Sequence, residues 1–224
     1  MHNYGAYQLS TFGYLTKAPE YLCKYEANGA WESCQRQEIC AEDSVISEYK
    51  FDTSSAYYMN NFFTEMDMTC WSQSSISMIV RMQFFGFLFG IPLFIVLEKW
   101  GRIRALNMVI PLSILGSYLS LETSSYWLMC LGYLFQGMAH IKKPLSFGFP
   151  NDNCDPKNAN IAMGIMLAID VMTLGVFCSL TLMVTRDTLK LLKVINMVAA
   201  ICILVIPFLM NESPTWLIAN NKNK

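Results

Sequence analysis

The sequence predicts an all-α membrane protein of about five transmembrane helices behind a polar, cysteine-containing N-terminal segment. Three observations carry that prediction. The run Ser75–Leu97 is interrupted by only one charge, Arg81, and is long enough to cross a bilayer, which takes about 20 apolar residues. It ends in Glu98-Lys99-Trp100-Gly101-Arg102-Ile103-Arg104, and cations directly behind an apolar run tend to stay on the side from which insertion occurs. Hydrophobic residues make up 54% of the chain against 15% charged, gathered in near-continuous runs rather than amphipathic stripes.

Residues 1–72 contain no run of span length and are broken by Gly5, Gly13, Pro19 and Gly29, so they read as a loop-like extramembrane segment. The start is not a signal peptide, because no apolar core follows a basic residue. After the first span, a second run covers Ala105–Leu121. The short polar turn Glu122–Ser125 leads into a third, Tyr126 to about Ile141, and so short a turn implies antiparallel neighbours. Lys142, Lys143 and a polar loop at Asn151–Lys157 are expected to return the chain to the basic side. A fourth run spans Ile161–Val184 around Asp170. Arg186-Asp187-Thr188 turns it into a fifth, Leu189 to Met210, and residues 212–224 form a short interfacial tail. The membrane domain is thus residues 73–211. Pro92, Pro111 and Pro207 are tolerable inside membrane helices, where freed carbonyls find local partners.

Charge is divided unevenly. Residues 1–72 hold ten Asp/Glu against four Lys/Arg, and residues 73–224 hold seven against twelve. The basic loops and C-terminus are therefore expected on the cytosolic or matrix side, with the N-terminal segment opposite. No basic stripe suits a phosphate backbone, so nucleic acid is not an expected partner; membrane lipids and other membrane subunits are.

Of eight cysteines, Cys23, Cys34, Cys40 and Cys70 fall in the polar segment. They make an even set suited to two disulfides, with three pairings open. Zinc is the weaker reading, because no C-x-x-C pair occurs and the only early histidine is His2. No metal and no cofactor are expected, and with no nucleophile–base pair or phosphate-binding loop the chain does not read as an enzyme.

The candidate ligand-binding side chains are Arg81, Gln136 and Asp170, since charged or polar groups at membrane depth are costly and often functional. Each has a structural alternative: snorkelling or pairing with an N-terminal acid for Arg81, a local polar partner for Asp170, packing for Gln136 and His140. Gly86-x-x-x-Gly90, and Gly132 with Gly137, are small-residue faces suited to close helix packing.

The segment Thr64-Glu65-Met66-Asp67-Met68-Thr69-Cys70, the span with Gly-x-x-x-Gly, the tail from Glu98 through Gly101, Arg102 and Arg104, and the end Glu212-Ser213-Pro214-Thr215-Trp216-Leu217 stand in that order. Together they resemble the organic cation/anion transporter family of the major facilitator superfamily, with its T-E-W-D-L-V-C-like, G-x-x-x-D-R-x-G-R-R-like and E-S-P-R-W-L-like motifs. Trp31, Cys34 and Cys40 are similar to the family's cysteine-bearing first outer loop. The resemblance implies an N-terminal half-bundle, with the five spans corresponding to the family's second to sixth helices. Gly5-Ala6-Tyr7-Gln8 runs almost directly into Gly13–Cys23 where the family has its first helix. It also implies erosion: Phe94 stands for Gly, Glu98 for Asp, Ile103 separates the two arginines, Tyr133 stands for Arg, Thr215 for Arg, and the acid and base of the next inner loop are replaced within Asn151–Asn160.

These departures lead to the expectation of a degenerate half-transporter serving as a structural or accessory subunit of a larger membrane complex, with the mitochondrial inner membrane as one setting. The alternative is a carrier of small organic ions or sugars working as a dimer or with a second half. On the first reading, the Gly86–Gly90 face and the Glu98–Arg104 tail are where a partner would dock.

Overall fold

A computed structural model describes residues 12–26, 29–41, 45–209, 212 and 214–219. Within the helices some side chains, Glu98 and Asp170 among them, lie outside the described set, as does Ser213 altogether.

The N-terminal segment is not a set of loops. After a short helix, α1 (Phe12–Leu15), the strands β1 (Tyr21–Tyr25), β2 (Trp31–Cys34) and β3 (Ile46–Phe51) form an antiparallel sheet in the order β2-β1-β3. The local sequence explains the strands. In β1, Tyr21 and Cys23 alternate inward while Leu22 and Lys24 are less buried, the period-two pattern of a strand with one covered face. Gly29, at φ 60, makes the left-handed bend before β2. Strands of four to six residues among turn residues leave little periodicity for a sequence reading to find.

Two disulfides close this segment: Cys23–Cys34 joins β1 to β2, and Cys40–Cys70 pulls the chain after α2 (Arg36–Ile39) onto the 3₁₀ turn Met68–Cys70. The pairing left open by the sequence is thereby decided. Arg36 donates from Nε to the Thr69 carbonyl at 2.5 Å and from its guanidinium to the Trp71 carbonyl, and stacks over Phe63. Asn61 caps α3 (Phe62–Glu65) in a reciprocal box with Thr64 and reaches the Tyr14 and Lys17 carbonyls. Thr64–Cys70 is therefore a structural knot: Asp67, at φ 44, accepts from the Tyr49 and Thr69 hydroxyls at 2.9 and 2.7 Å.

The long helices follow. Helix α4 (Gln73–Glu98) starts at Ser72, whose hydroxyl accepts from the Ser75 N–H, and α5 (Arg102–Glu122) runs back. The third pass is α6 (Tyr126–Met138), a 3₁₀ turn (Ala139–Ile141) and α7 (Lys142–Asn153), helical throughout. Helices α8 (Pro156–Met183) and α9 (Thr188–Leu209) are the last long helices among the described residues, and α10 (Pro214–Ala219) follows. Helix continues through Pro92 and Pro111.

The third pass corrects the sequence reading. Lys142 and Lys143 do not stand in a basic loop but inside the pass, and Asn151–Asn153 are helical, leaving only Cys154 and Asp155 as the connection before Pro156 at N1 of α8. Lysine near a polar cluster looks like a helix end when its partner is unseen. Here Lys142 is 3% exposed and donates to Ser113 Oγ of α5 at 2.6 Å.

Two helices, Gln73–Leu97 and Arg102–Glu122, are long and apolar enough to cross a membrane. Of an apolar 18-residue stretch of the first only 22% is buried within the protein, against 50% in the second, with Phe84, Phe85, Leu88, Phe89 and Ile95 of the first turned outward. The buried core helix of a soluble protein would show the reverse.

The sheet segment caps one end of the passes. Leu15, Phe62, Phe63 and Met68 share a core with Ile76 and Ile79 of α4, Met129 and Tyr133 of α6, and Leu192 of α9. Asn60 exchanges backbone bonds with Arg186 and Thr188 in the α8–α9 turn. Along the bundle, α6 lies between α4 and α5 at glycine contacts. A Cβ on Gly86 would strike the Leu134 carbonyl, one on Gly137 the Gln83 carbonyl, and one on Gly132 would sit 2.7 Å from the Ser120 nitrogen. The Gly86–Gly90 face, expected to seek a partner, is thus covered by the chain's own third pass.

Candidate functional site

Two places gather chemistry-bearing side chains: the end of the bundle opposite the sheet, and a polar seam between the helices.

At the end, Gly101 holds φ 109 before α5, a conformation that strains any residue with a side chain, and a Cβ there would lie 2.8 Å from Glu212 Oε2. Glu212 Oε1 in turn accepts from the Ile103 N–H at 3.2 Å. A carboxylate at a helix N-terminus satisfies an otherwise unmatched donor and complements the helix dipole. Arg102 pairs with Asp152, near the end of α7, at 2.5 Å, with both side chains largely buried. Gly148 lies against the same guanidinium, so that a Cβ there would collide with it. Arg104 is exposed beside Trp100, Asn107 and Met108, and Pro214 opens α10. Ser213 lies outside the described residues, and Glu98 is described only as the last residue of α4.

Asp152, within the stretch Asn151–Asn160, meets Arg102. The α4–α5 loop, the α7 end and the chain after α9 are tied by one arginine and two carboxylates.

The seam lies where α4, α5 and α6 meet. Gln136 Nε2 donates to Ser120 Oγ at 2.9 Å, and Lys142 reaches Ser113. Gln83, with no exposed surface, has neither amide atom bonded to a described residue, and the Tyr133 hydroxyl and Gln136 Oε1 are in the same position. His140 packs edge-on against Phe87, ring centres 4.6 Å apart. Of the sequence candidates with described side chains, Gln136 lies in this seam and Arg81 does not. Arg81 is exposed among Phe84, Phe85, Phe87 and Leu88 and has no hydrogen bond or ion pair to a described residue, so the expected pairing with an N-terminal acid is not seen. Asp170 stands midway along α8. Gln136 and Arg81 therefore lie apart, and the Asp170 side chain is outside the described set.

Lys142, Ser113, Gln83 and Asp152 were missed. For Asp152 a signal existed, an acid in the polar stretch after the third run, on the same side as Arg102; for Gln83 it was a polar residue inside a span-length run. Nothing local marks Lys142 as buried. Among the described residues no group of three His, Cys, Asp or Glu is placed to hold a metal.

Compared with known proteins, the chain matches no family model and no curated protein.

Proposed function

We propose that this protein is a membrane-embedded helical bundle of major-facilitator type that serves as a structural subunit of a larger membrane assembly, with its disulfide-bonded sheet in an oxidising compartment such as the mitochondrial intermembrane space. What supports the membrane part is the outward apolar surface of α4. The observation that carries the structural role is that α4, α5 and the third pass are tied along their length: by the sheet core at one end, by Arg102–Asp152 and Glu212 at the other, and by backbone contact at Gly86, Gly132 and Gly137 between. Backbone packed this closely leaves little room for helices to slide, which suits a scaffold.

One observation favours a second reading, a carrier of small organic ions or sugars working with a second half or a second copy. Lys142 is an ionisable residue buried inside a pass beside Ser113, and ionisable groups at such depth often mark ligand or ion paths. Native-mass separation of mildly solubilised membranes tests the pair. Comigration with a large complex is expected. A compact dimer that supports substrate uptake in liposomes, with uptake abolished by Lys142→Met, overturns the structural reading in favour of the carrier.

A further inference from the structure

Helices α5 and α9 part beneath the Glu122–Lys193 ion pair and leave a groove of about 230 Å³, lined by Ile114, Ser117, Leu121, Asn196, Met197 and Ala200 with the ion pair at its rim. Its chemistry changes in order along the helices. The half-exposed pair, Lys193 Nζ to Glu122 Oε2 at 3.0 Å, lies at the sheet end of the bundle. Ser117 lies five residues before Glu122, roughly 7.5 Å deeper at 1.5 Å per residue, and Asn196 is one turn beyond Lys193 on the same face. A further turn inward the walls are Ile114 and Ala200. Ser117 is 1% exposed, and its hydroxyl has no partner among the described residues. A helical serine usually returns its proton to the carbonyl one turn back, and a buried hydroxyl without a bond is costly.

A rim with one positive and one negative charge, a buried hydroxyl donor one to two turns below it and apolar walls beyond match a particular ligand profile: a dipolar head, an acceptor carbonyl and an alkyl chain. We infer that the α5–α9 groove binds a zwitterionic glycerophospholipid. Lys193 faces the phosphate, Glu122 the ammonium, Ser117 donates to an ester carbonyl, and one acyl chain runs along Ile114 and Ala200. The volume suits the ester linkage and the first methylenes, not a whole lipid, so the rest of the molecule stays in the bilayer. The rim has no net charge, which selects a zwitterion over an anionic lipid. This inference rests on α5 and α9 being embedded in a bilayer, as proposed above.

The test uses the full chain purified in mild detergent, with native mass spectrometry reading retained phosphatidylethanolamine or phosphatidylcholine. Wild type is expected to keep one such lipid. Ser117→Ala combined with Lys193→Met, and separately Met197→Trp, which fills the groove, are expected to reduce retention about tenfold or more, tenfold being 1.4 kcal/mol. Thermal melts without lipid show whether each variant folds, and the wild type alone should gain melting temperature on adding the lipid. Equal retention by wild type and both folded variants overturns the inference, as does equal or better retention of phosphatidylglycerol or of a sterol. Alkaline carbonate extraction separates the two levels. A protein released from membranes overturns the bilayer reading and the lipid site together, whereas an integral protein indifferent to the lipid overturns the site alone.

Discussion

Arg102 and Asp152 meet at 2.5 Å across the end of the bundle, joining the first turn of α5 to the last of α7. Both side chains are largely withdrawn from solvent, so the contact is screened less than a surface pair and leaves an unmatched charge if one partner is lost. Asp152→Asn is expected to destabilise the solubilised protein by about 2 kcal/mol, the range of a charge-assisted hydrogen bond, read as a lower melting temperature. The double variant Arg102→Met, Asp152→Leu should recover part of that loss. Additive losses would show that the pair is not coupled.

Backbone contact between α4 and α6 leads to a sharper expectation. Gly137→Ala and Gly86→Ala place a methyl against carbonyl oxygen or backbone that no side-chain rotation can clear, and each should cost about 3 kcal/mol or more by overpacking. Gly164→Ala in α8, where nothing lies within 4 Å of the added Cβ, should be neutral or stabilising by up to about 1 kcal/mol through helix propensity. Limited proteolysis across α4 reports the difference, and similar protection in all three variants would contradict the packing.

The two disulfides should differ in weight. Cys40–Cys70 closes a separation of 30 residues and Cys23–Cys34 one of 11. Chain entropy alone assigns about 3.6 kcal/mol to the longer loop and about 2.8 kcal/mol to the shorter. Cys40→Ser with Cys70→Ser should therefore loosen the sheet segment more than Cys23→Ser with Cys34→Ser, measured by hydrogen exchange of β1 and β3 amides.

Alkaline pH should weaken the same segment. Burial first, and then the hydrogen bond to Asp67, raise the Tyr49 phenol above its ordinary value of 10.0, and burial does the same for Tyr21. With the folded-state value raised, the stabilisation is complete below pH 10 and is lost as pH rises through the folded value, because the unfolded chain ionises first. Tyrosinate absorbance followed with β-sheet circular dichroism should show late ionisation coincident with loss of the sheet. Tyr49→Phe should remove part of that dependence.

Asp52 acts at the other end of the scale. Bonds from the Ser54 hydroxyl and N–H lower its carboxyl below the ordinary 3.8. The turn after β3 is thus supported above that pH and loses the support as pH falls through the lowered value. Ser54→Ala should shift the Asp52 titration, followed by NMR, upward toward the ordinary value.

How much of this was legible before folding differs by residue. Apolar runs marked α4, α5 and α9 to within a few residues, because length and composition are local properties, but missed the twelve residues of α7 that prolong the third run. Gly86, Gly90, Gly132 and Gly137 were recognisable as packing faces, yet the sequence offered Gly86 and Gly90 to a foreign partner where α6 covers them. Gln136 was picked out with its bland alternative of packing, and its bond to Ser120 is of that kind. The sheet was invisible because its strands are short and set among turn residues.

What the amino-acid sequence determined by itself is the alternation of apolar runs and polar connections, the set of four cysteines in the polar segment and the charge bias between the ends. Each follows from solvation of consecutive residues, which needs no knowledge of neighbours in space. Only the tertiary structure decided that Cys23 meets Cys34, that Asp152 answers Arg102, that Glu212 caps the helix beginning at Arg102, and that Lys142 is buried against Ser113 instead of reaching water. Those outcomes depend on pairs 11, 50, 109 and 29 positions apart, and a pairing energy cannot be read from one partner until packing has chosen the other.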